Sequence, residues 1–296
     1  MKRTETFTQM TSWMVMLAPA LLLLVAGPQR AAAQFGGLSK VLNKAKQVQA
    51  ATKPLTLEEE EGMGRSVAAK LVANYTLYNN DELTRYVNMV GDTVAAQADR
   101  QDISYHFAIL DSDDINAFSA PGGYIFVTRG ALALCDDESE LAGVLAHEVG
   151  HVAAKHVVHV IERDKMVRAG TQEATSHMNA GQLNDMFNKL ASAALVKILD
   201  QGLAPGDEYD ADARGVKYAY AAGYSADGLE RFLTKLDSAI SHGKKSFWTR
   251  THPPIADRNT KVQQLITSQK WDDANRPKLA DRFNEAIAVL KPKAQL

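Results

Sequence analysis

The stretch from Leu141 to Val152 constrains this chain more than any other. Leu141, Val144, Leu145, Val149 and Val152 make it strongly apolar, yet His147, Glu148 and His151 lie inside it. Histidines four apart share one side of a helix, with Cβ atoms about 5–6 Å apart. That spacing lets both imidazoles reach one zinc ion at about 2.0–2.1 Å. Glu148 is one residue along, so it flanks such an ion and can take a proton from a water activated there. The bland alternative is a surface helix with two solvated histidines. The apolar flanks count against it, because a half-buried helix does not carry an unsatisfied histidine pair without cost. The His-Glu-x-x-His pattern therefore predicts a zinc-dependent hydrolase, a peptidase before any other.

The bulk composition narrows the partners. With 296 residues, 46% hydrophobic and 23% charged, the chain can bury a sizeable core as one large domain or two small ones. A net charge of −2 with no long basic run excludes nucleic acid as an expected partner. Cys135 is the sole cysteine, which rules out an intrachain disulfide framework. Asp136 and Asp137 follow it and would raise its thiol pKa, so a small buried residue is the expected role. At the start, Lys2 and Arg3 precede an apolar run from Trp13 to Gly27 containing Pro19, then Ala31-Ala32-Ala33. The run is shorter than the roughly 20 residues of a spanning helix. Residues 1–33 thus read as a signal peptide cleaved after Ala33, giving an exported, periplasmic protein. The alternative is a membrane anchor made by the same segment.

Residues 34–54 read as a mature N-terminal tail and 55–296 as the folded domain. Thr56 and Glu59 form a capping box for a helix over 57–75. Further helices are expected over 82–98, 138–160, 207–222, 225–240 (with Ser225 as cap), 255–268 and 278–289. One or two irregular helices are expected within 163–193. Residues 104–110 have strand composition, and 116–129 reads as two extended segments around Pro121-Gly122-Gly123, with a loop over 241–254. The predicted class is a helix-rich α+β fold with a small sheet and an active-site helix.

A catalytic zinc needs a third protein ligand. A third histidine in the pattern HExxHxxGxxH is excluded, because Ala154 and Val157 occupy its last two key positions. His156 lies about 140° round a continuous helix from His151, and His159 two turns away, so both read as solvated or capping. Glu208 and Asp212 are the better source. They are four apart on one helix face, so Glu208 can bind the metal while Asp212 accepts the free N–H of a ligand histidine. Ala211 and Gly215 are small enough to let the two helices approach closely. The rivals Glu162 and Glu173 lack an acidic residue four positions on. A solvated acidic first turn, favoured by the helix dipole, is the competing reading of Glu208.

At these residues the chain resembles the HtpX-type and CAAX-prenyl-protease family of gluzincin metallopeptidases, above all its small exported members of the BepA/LoiP kind. The resemblance spans about residues 55–270. It rests on Asn116-Ala117-Phe118 with Pro121-Gly122-Gly123-Tyr124-Ile125-Phe126-Val127, on His147-Glu148-x-x-His151, on Glu208-x-x-Ala211-Asp212, and on Thr251-His252-Pro253 with Arg258. It implies one Zn2+ per chain held by His147, His151 and Glu208, with Glu148 as general base. It also implies that Asn116, Ala117, Gly122, Gly123 and Tyr124 belong to an edge strand on which substrate backbone pairs. Strand addition reads backbone rather than side chains and suits unfolded or misfolded polypeptides, including membrane-associated envelope proteins. The resemblance places His252 near the metal, either in its open position in a resting form or as a donor to the tetrahedral intermediate. It gives Arg258 a role in holding that loop or stabilising negative charge. By composition alone, residues 251–254 are a proline-fixed loop with an exposed histidine. The chain departs from the family in lacking multiple spanning helices and a helical-repeat tail. The competing class is a non-enzymatic, zinc-stabilised periplasmic holdase that captures chains on the edge strand.

Overall fold

The computed structural model describes residues 54–171, 202–243, 254–271 and 276–290, with helical positions 185, 189, 193 and 196. The segment read as a leader, most of the one read as a mature tail, residues 244–253 with His252, and most of 172–201 with Glu173 lie outside the described residues. The described elements run α1 (Leu57–Tyr75), α2 (Asp81–Ala95), β1 (His106–Leu110), β2 (Ala117–Ala120), β3 (Tyr124–Thr128), α3 (Arg129–Leu134), α4 (Glu138–Ala153), α5 (His156–Thr171), α6 (Pro205–Ala221), α7 (Gly228–Ser241), α8 (Ile255–Gln269) and α9 (Ala280–Ile287). The helix-rich α+β class holds.

α4 is the axis of the fold. Every residue from Glu138 to Val152 is buried, which explains an apolar run without a polar face. Leu141, Val144, Leu145 and Val149 each contribute about 1.5–3 kcal/mol on burial. Glu138 opens the helix inside the core, accepting from the hydroxyls of Tyr86 and Tyr224 at 2.8 Å and pairing with Arg282. Small residues let α4 meet its neighbours backbone to backbone. A Cβ on Gly143 would fall 2.6 Å from the Leu229 amide of α7.

The sheet is three-stranded in the order β1-β3-β2, with β1 parallel and β2 antiparallel to β3. Ile125 and Val127 of β3 face the main core, while Phe126 joins a smaller cluster with Met63, Leu71, Val158 and Ile161. Between β2 and β3 the chain turns through Pro121–Gly123, where Gly122 and Gly123 have φ of 72° and 93°. Glu60 of α1 fixes this turn, accepting from the Gly122 amide at 3.2 Å and from Arg100 at 2.6 and 2.9 Å.

Two expected helix signals differ from the fold. The capping box of α1 is present as read, with Thr56 and Glu59 exchanging bonds of 3.2 and 2.8 Å. The motif helix, however, ends at Ala153 rather than running to residue 160. Lys155 takes a left-handed conformation, φ 58°, and a new helix begins at His156. Ser225 does not cap α7. That helix starts three residues later, and Ser225 instead donates its hydroxyl to Asp227 at 2.8 Å.

Candidate metal centre

His147, Glu148 and His151 occupy the last two turns of α4 and are at most 3% exposed. α6 crosses directly over them. A Cβ on Gly215 would sit 2.8 Å from the His147 amide nitrogen, and one on Gly150 would sit 2.9 Å from the Ala211 carbonyl. That close crossing brings the first turn of α6 onto the histidines. Glu208 Oε2 lies 3.7 Å from His147 Nε2, and Oε1 lies 3.6 Å from His151 Nε2. The two Nε2 atoms are 3.0 Å apart. These three are the group of metal-ligating side chains found among the described residues.

The donor set fits a cation. His147 Nδ1 is 2.9 Å from Asp212 Oδ1, so that nitrogen carries the proton and Nε2 presents its lone pair. Burial pushes Asp212 toward neutrality, but Arg258 and the His147 bond outweigh it and hold the carboxyl well below its usual range. Arg258 itself is fully buried and grips Asp212 through bonds of 2.8 and 2.5 Å. Burial drives the Glu208 pKa well above its ordinary value, against the opposing pull of Arg258. Two ring nitrogens and a desolvated carboxylate turned toward one another are repulsive or protonated unless a cation lies between them. Tetrahedral ligands about 2.1 Å from zinc are spaced by about 3.4 Å, close to the separations seen.

Glu148 stands beside this set. Its pKa is raised by burial, with His147 and a hydrogen bond from Ser119 of β2 pulling the other way. Its Oε1 has no hydrogen-bond partner among the described residues. A buried carboxylate oxygen without a donor is costly, and such an oxygen is suited to receive a proton from a bound reactant.

The expected substrate strand needs correction. β2 is an edge, as expected, but it comprises Ala117–Ala120 only. Tyr124 is on the central strand, already paired with His106 on one side and Ala120 on the other, so it offers no free edge. Gly122 and Gly123 form the buried turn, held by Glu60 and pressed against Ser104, where a Cβ on Gly123 would be 2.1 Å from the carbonyl oxygen. Asn116 is buried, receiving the Ala117 amide on Oδ1 at 2.9 Å and donating its own amide to Thr128 Oγ1. It shapes the start of the strand.

His156 needs correction too. It is 6% exposed rather than solvated, and its Nδ1 lies 2.9 Å from His151 Nδ1. Burial lowers its pKa, so it is neutral and one ring nitrogen accepts. The break at Lys155 reverses the 140° offset of a continuous helix. No glycine or proline marks that break in the sequence, so only its backbone shows it. His159 is exposed, as expected. Ser119 and the Glu60–Arg100 pair escaped the sequence reading, since neither has a spacing that ties it to the motif.

Two histidines from one helix and a glutamate from a second make a group that could hold a metal ion, with a carboxylate at their side, as a gluzincin metallohydrolase requires. Peptidase family M48 matches residues 81–266, more than half of the chain, which therefore belongs to that metal-dependent peptidase family. The chain is 29% identical over 260 residues to the beta-barrel assembly-enhancing protease of Yersinia pestis, covering 82% of this chain and 52% of that protein. It is 26% identical over 217 residues to the mitochondrial metalloendopeptidase OMA1 of Schizosaccharomyces pombe, covering 72% and 62%. It is 23% identical over 193 residues to the metalloprotease LoiP of Escherichia coli, covering 64% and 73%. The chain spans about half the length of the beta-barrel assembly-enhancing proteases it matches.

Proposed function

We propose that this chain is a zinc endopeptidase that cuts unfolded or misassembled envelope proteins. The observation that carries it is Glu148 Oε1, a buried carboxylate oxygen without a donor among the described residues, beside the convergent His147, His151 and Glu208. Those three would hold the ion. Bound zinc would supply Lewis acidity, lowering the pKa of a water to about 7 and polarising the scissile carbonyl. Glu148 takes the proton of the attacking water and returns it to the leaving amine, its burial-raised pKa bringing it nearer neutral working pH. Asp212, clamped by Arg258, holds His147 in the tautomer that leaves Nε2 free.

β2 has one side unpaired by any strand among the described residues, and Ser119 on it helps to hold down the Glu148 pKa. A substrate added there would run its backbone past the general base. The name of the beta-barrel assembly-enhancing proteases supports an envelope substrate, and the leader read over 1–33 supports export to the periplasm. His252 is proposed to reach the metal, and unchanged activity and metal affinity in His252→Ala would remove it from the site.

The test is cleavage of reduced casein by the mature chain, beside Glu148→Gln and a chelated control. Cleavage lost in both, with zinc still bound to Glu148→Gln, is the expected result. Wild-type rates in Glu148→Gln would overturn the assignment of the base. Zinc binding with no cleavage by the wild type would favour the holdase.

A further inference from the structure

His147 and His151 are oriented by different chemistry. Behind His147 lies a carboxylate, Asp212, bolted to a guanidinium. Behind His151 lies another imidazole, with the His156 ring edge-on at 75° and 5.1 Å between centroids. The far nitrogen of His156, Nε2, lies 3.3 Å from Asp210 Oδ2. Asp210 is fixed in turn by Arg214, which donates Nε to it at 2.6 Å and Nη1 to Asp99 at 2.8 Å. The chain thus runs from His151 through His156 to a half-exposed ion-pair network that joins α6 to Asp99.

We propose that His156 is a positioning residue: it accepts the Nδ1–H of His151, directs its own Nε2–H at Asp210, and so holds His151 with Nε2 toward the metal. The proposal rests on the reading of His147, His151 and Glu208 as the zinc ligands. Neutral imidazole suits this place for an electrostatic reason. The buried site already holds the carboxylates of Glu148, Glu208 and Asp212 against the guanidinium of Arg258. A dication balances that set. A further carboxylate on His151 would leave excess negative charge in a low-dielectric site, whereas His156 passes the demand on to Asp210, where water screens it. The left-handed Lys155 is what makes the contact, since it ends α4 and folds the next residue back over His151.

The test compares zinc affinity, by competition with a chromophoric chelator, and the visible spectrum of the cobalt-loaded protein. The proteins are the full chain and its His156→Leu and His156→Gln variants. Leucine keeps bulk in the buried site but accepts nothing, and the glutamine amide oxygen restores an acceptor for Nδ1–H. His156→Leu is expected to lose about 10–100-fold in zinc affinity and to alter the cobalt bands, and His156→Gln to recover most of both. His159→Ala, one turn on and exposed, is expected to match the wild type. Equal loss in the leucine and glutamine variants, of affinity or of fold, would make His156 a packing residue and overturn the proposal. Wild-type affinity in His156→Leu would overturn it as well. Failure of the wild type itself to bind zinc would instead sink the metal-site reading on which it rests.

Discussion

Arg258 is buried to 0% exposure and lies more than forty residues along the chain from the carboxylate it grips. Its bidentate hold on Asp212 keeps that carboxylate ionised, and Asp212 keeps His147 oriented. Replacing Arg258 by methionine retains length and removes the charge. Asp212 is then a buried anion without its cation, which costs about 3–5 kcal/mol. Denaturant unfolding of metal-free Arg258→Met should show that loss. Arg258→Lys should recover little of it, because an ammonium cannot reproduce two parallel bonds. A midpoint unchanged in Arg258→Met would mean that the pair contributes nothing to stability. At this scale the sequence was legible where spacing has one geometric meaning. His147 and His151, or Glu208 and Asp212, four apart on a helix, must share a face whatever the tertiary fold. His156 was not legible, because its place depends on one backbone angle at Lys155, a residue with no intrinsic preference for the left-handed region. Tyr124 was misplaced for a different reason. An extended segment shows in composition, but which extended segment lies between two others is decided by pairing partners remote in sequence.

Among the elements, the crossing of α4 and α6 decides whether the ligands meet. Gly215 permits it, since an added Cβ would lie 2.8 and 2.9 Å from the His147 amide nitrogen and Cα. Those are backbone atoms that cannot rotate away, so Gly215→Ala should push the helices apart. The expected cost is about 1–3 kcal/mol, with a weakened zinc affinity as Glu208 retreats from the histidines. Gly62 is the control. It lies in the interior of α1 with its nearest contact at 3.7 Å, the end of the flexible Arg65 side chain. Gly62→Ala should stabilise by about 0.5–1 kcal/mol through helix propensity and leave metal affinity unchanged. If Gly215→Ala bound zinc as the wild type does, the close crossing would not be what sets the site. The small residues Ala211 and Gly215 were readable as permission for close approach. The partner was readable too, because the His-Glu-x-x-His pattern had already set two histidines on one face of a single helix. Element ends were read well where a side chain marks them, as at Thr56, and poorly at Ser225, whose hydroxyl goes to Asp227.

Across the whole molecule, the centre gathers His147 and His151 from α4, Glu208 and Asp212 from α6, and Arg258 from α8. α4 ends at Ala153 and α6 begins only at Pro205, so the three segments meet only in the folded protein. A metal bound at their junction therefore stabilises the native state and not the unfolded one. Zinc at 100 times its dissociation constant adds about 2.7 kcal/mol. For a domain of this size each kcal/mol moves the melting temperature by about 2–4 °C, so chelation should lower it by about 5–11 °C. Because the proposed ligands and the proposed base are distinct residues, two variants separate their contributions. Glu148→Gln keeps all three ligands and should retain the full zinc-dependent shift. Glu208→Ala removes the one ligand that joins α6 to α4 and should lose most of it, while relieving a desolvated carboxyl whose pKa burial has raised. Metal-free Glu208→Ala is therefore expected to melt near or above the metal-free wild type, although its loaded form melts below the loaded wild type. That inversion distinguishes a residue retained for the metal from one retained for packing. Equal melting temperatures with and without chelator in the wild type would mean that no ion bridges the two helices, and the buried acidic cluster would then need another counter-charge.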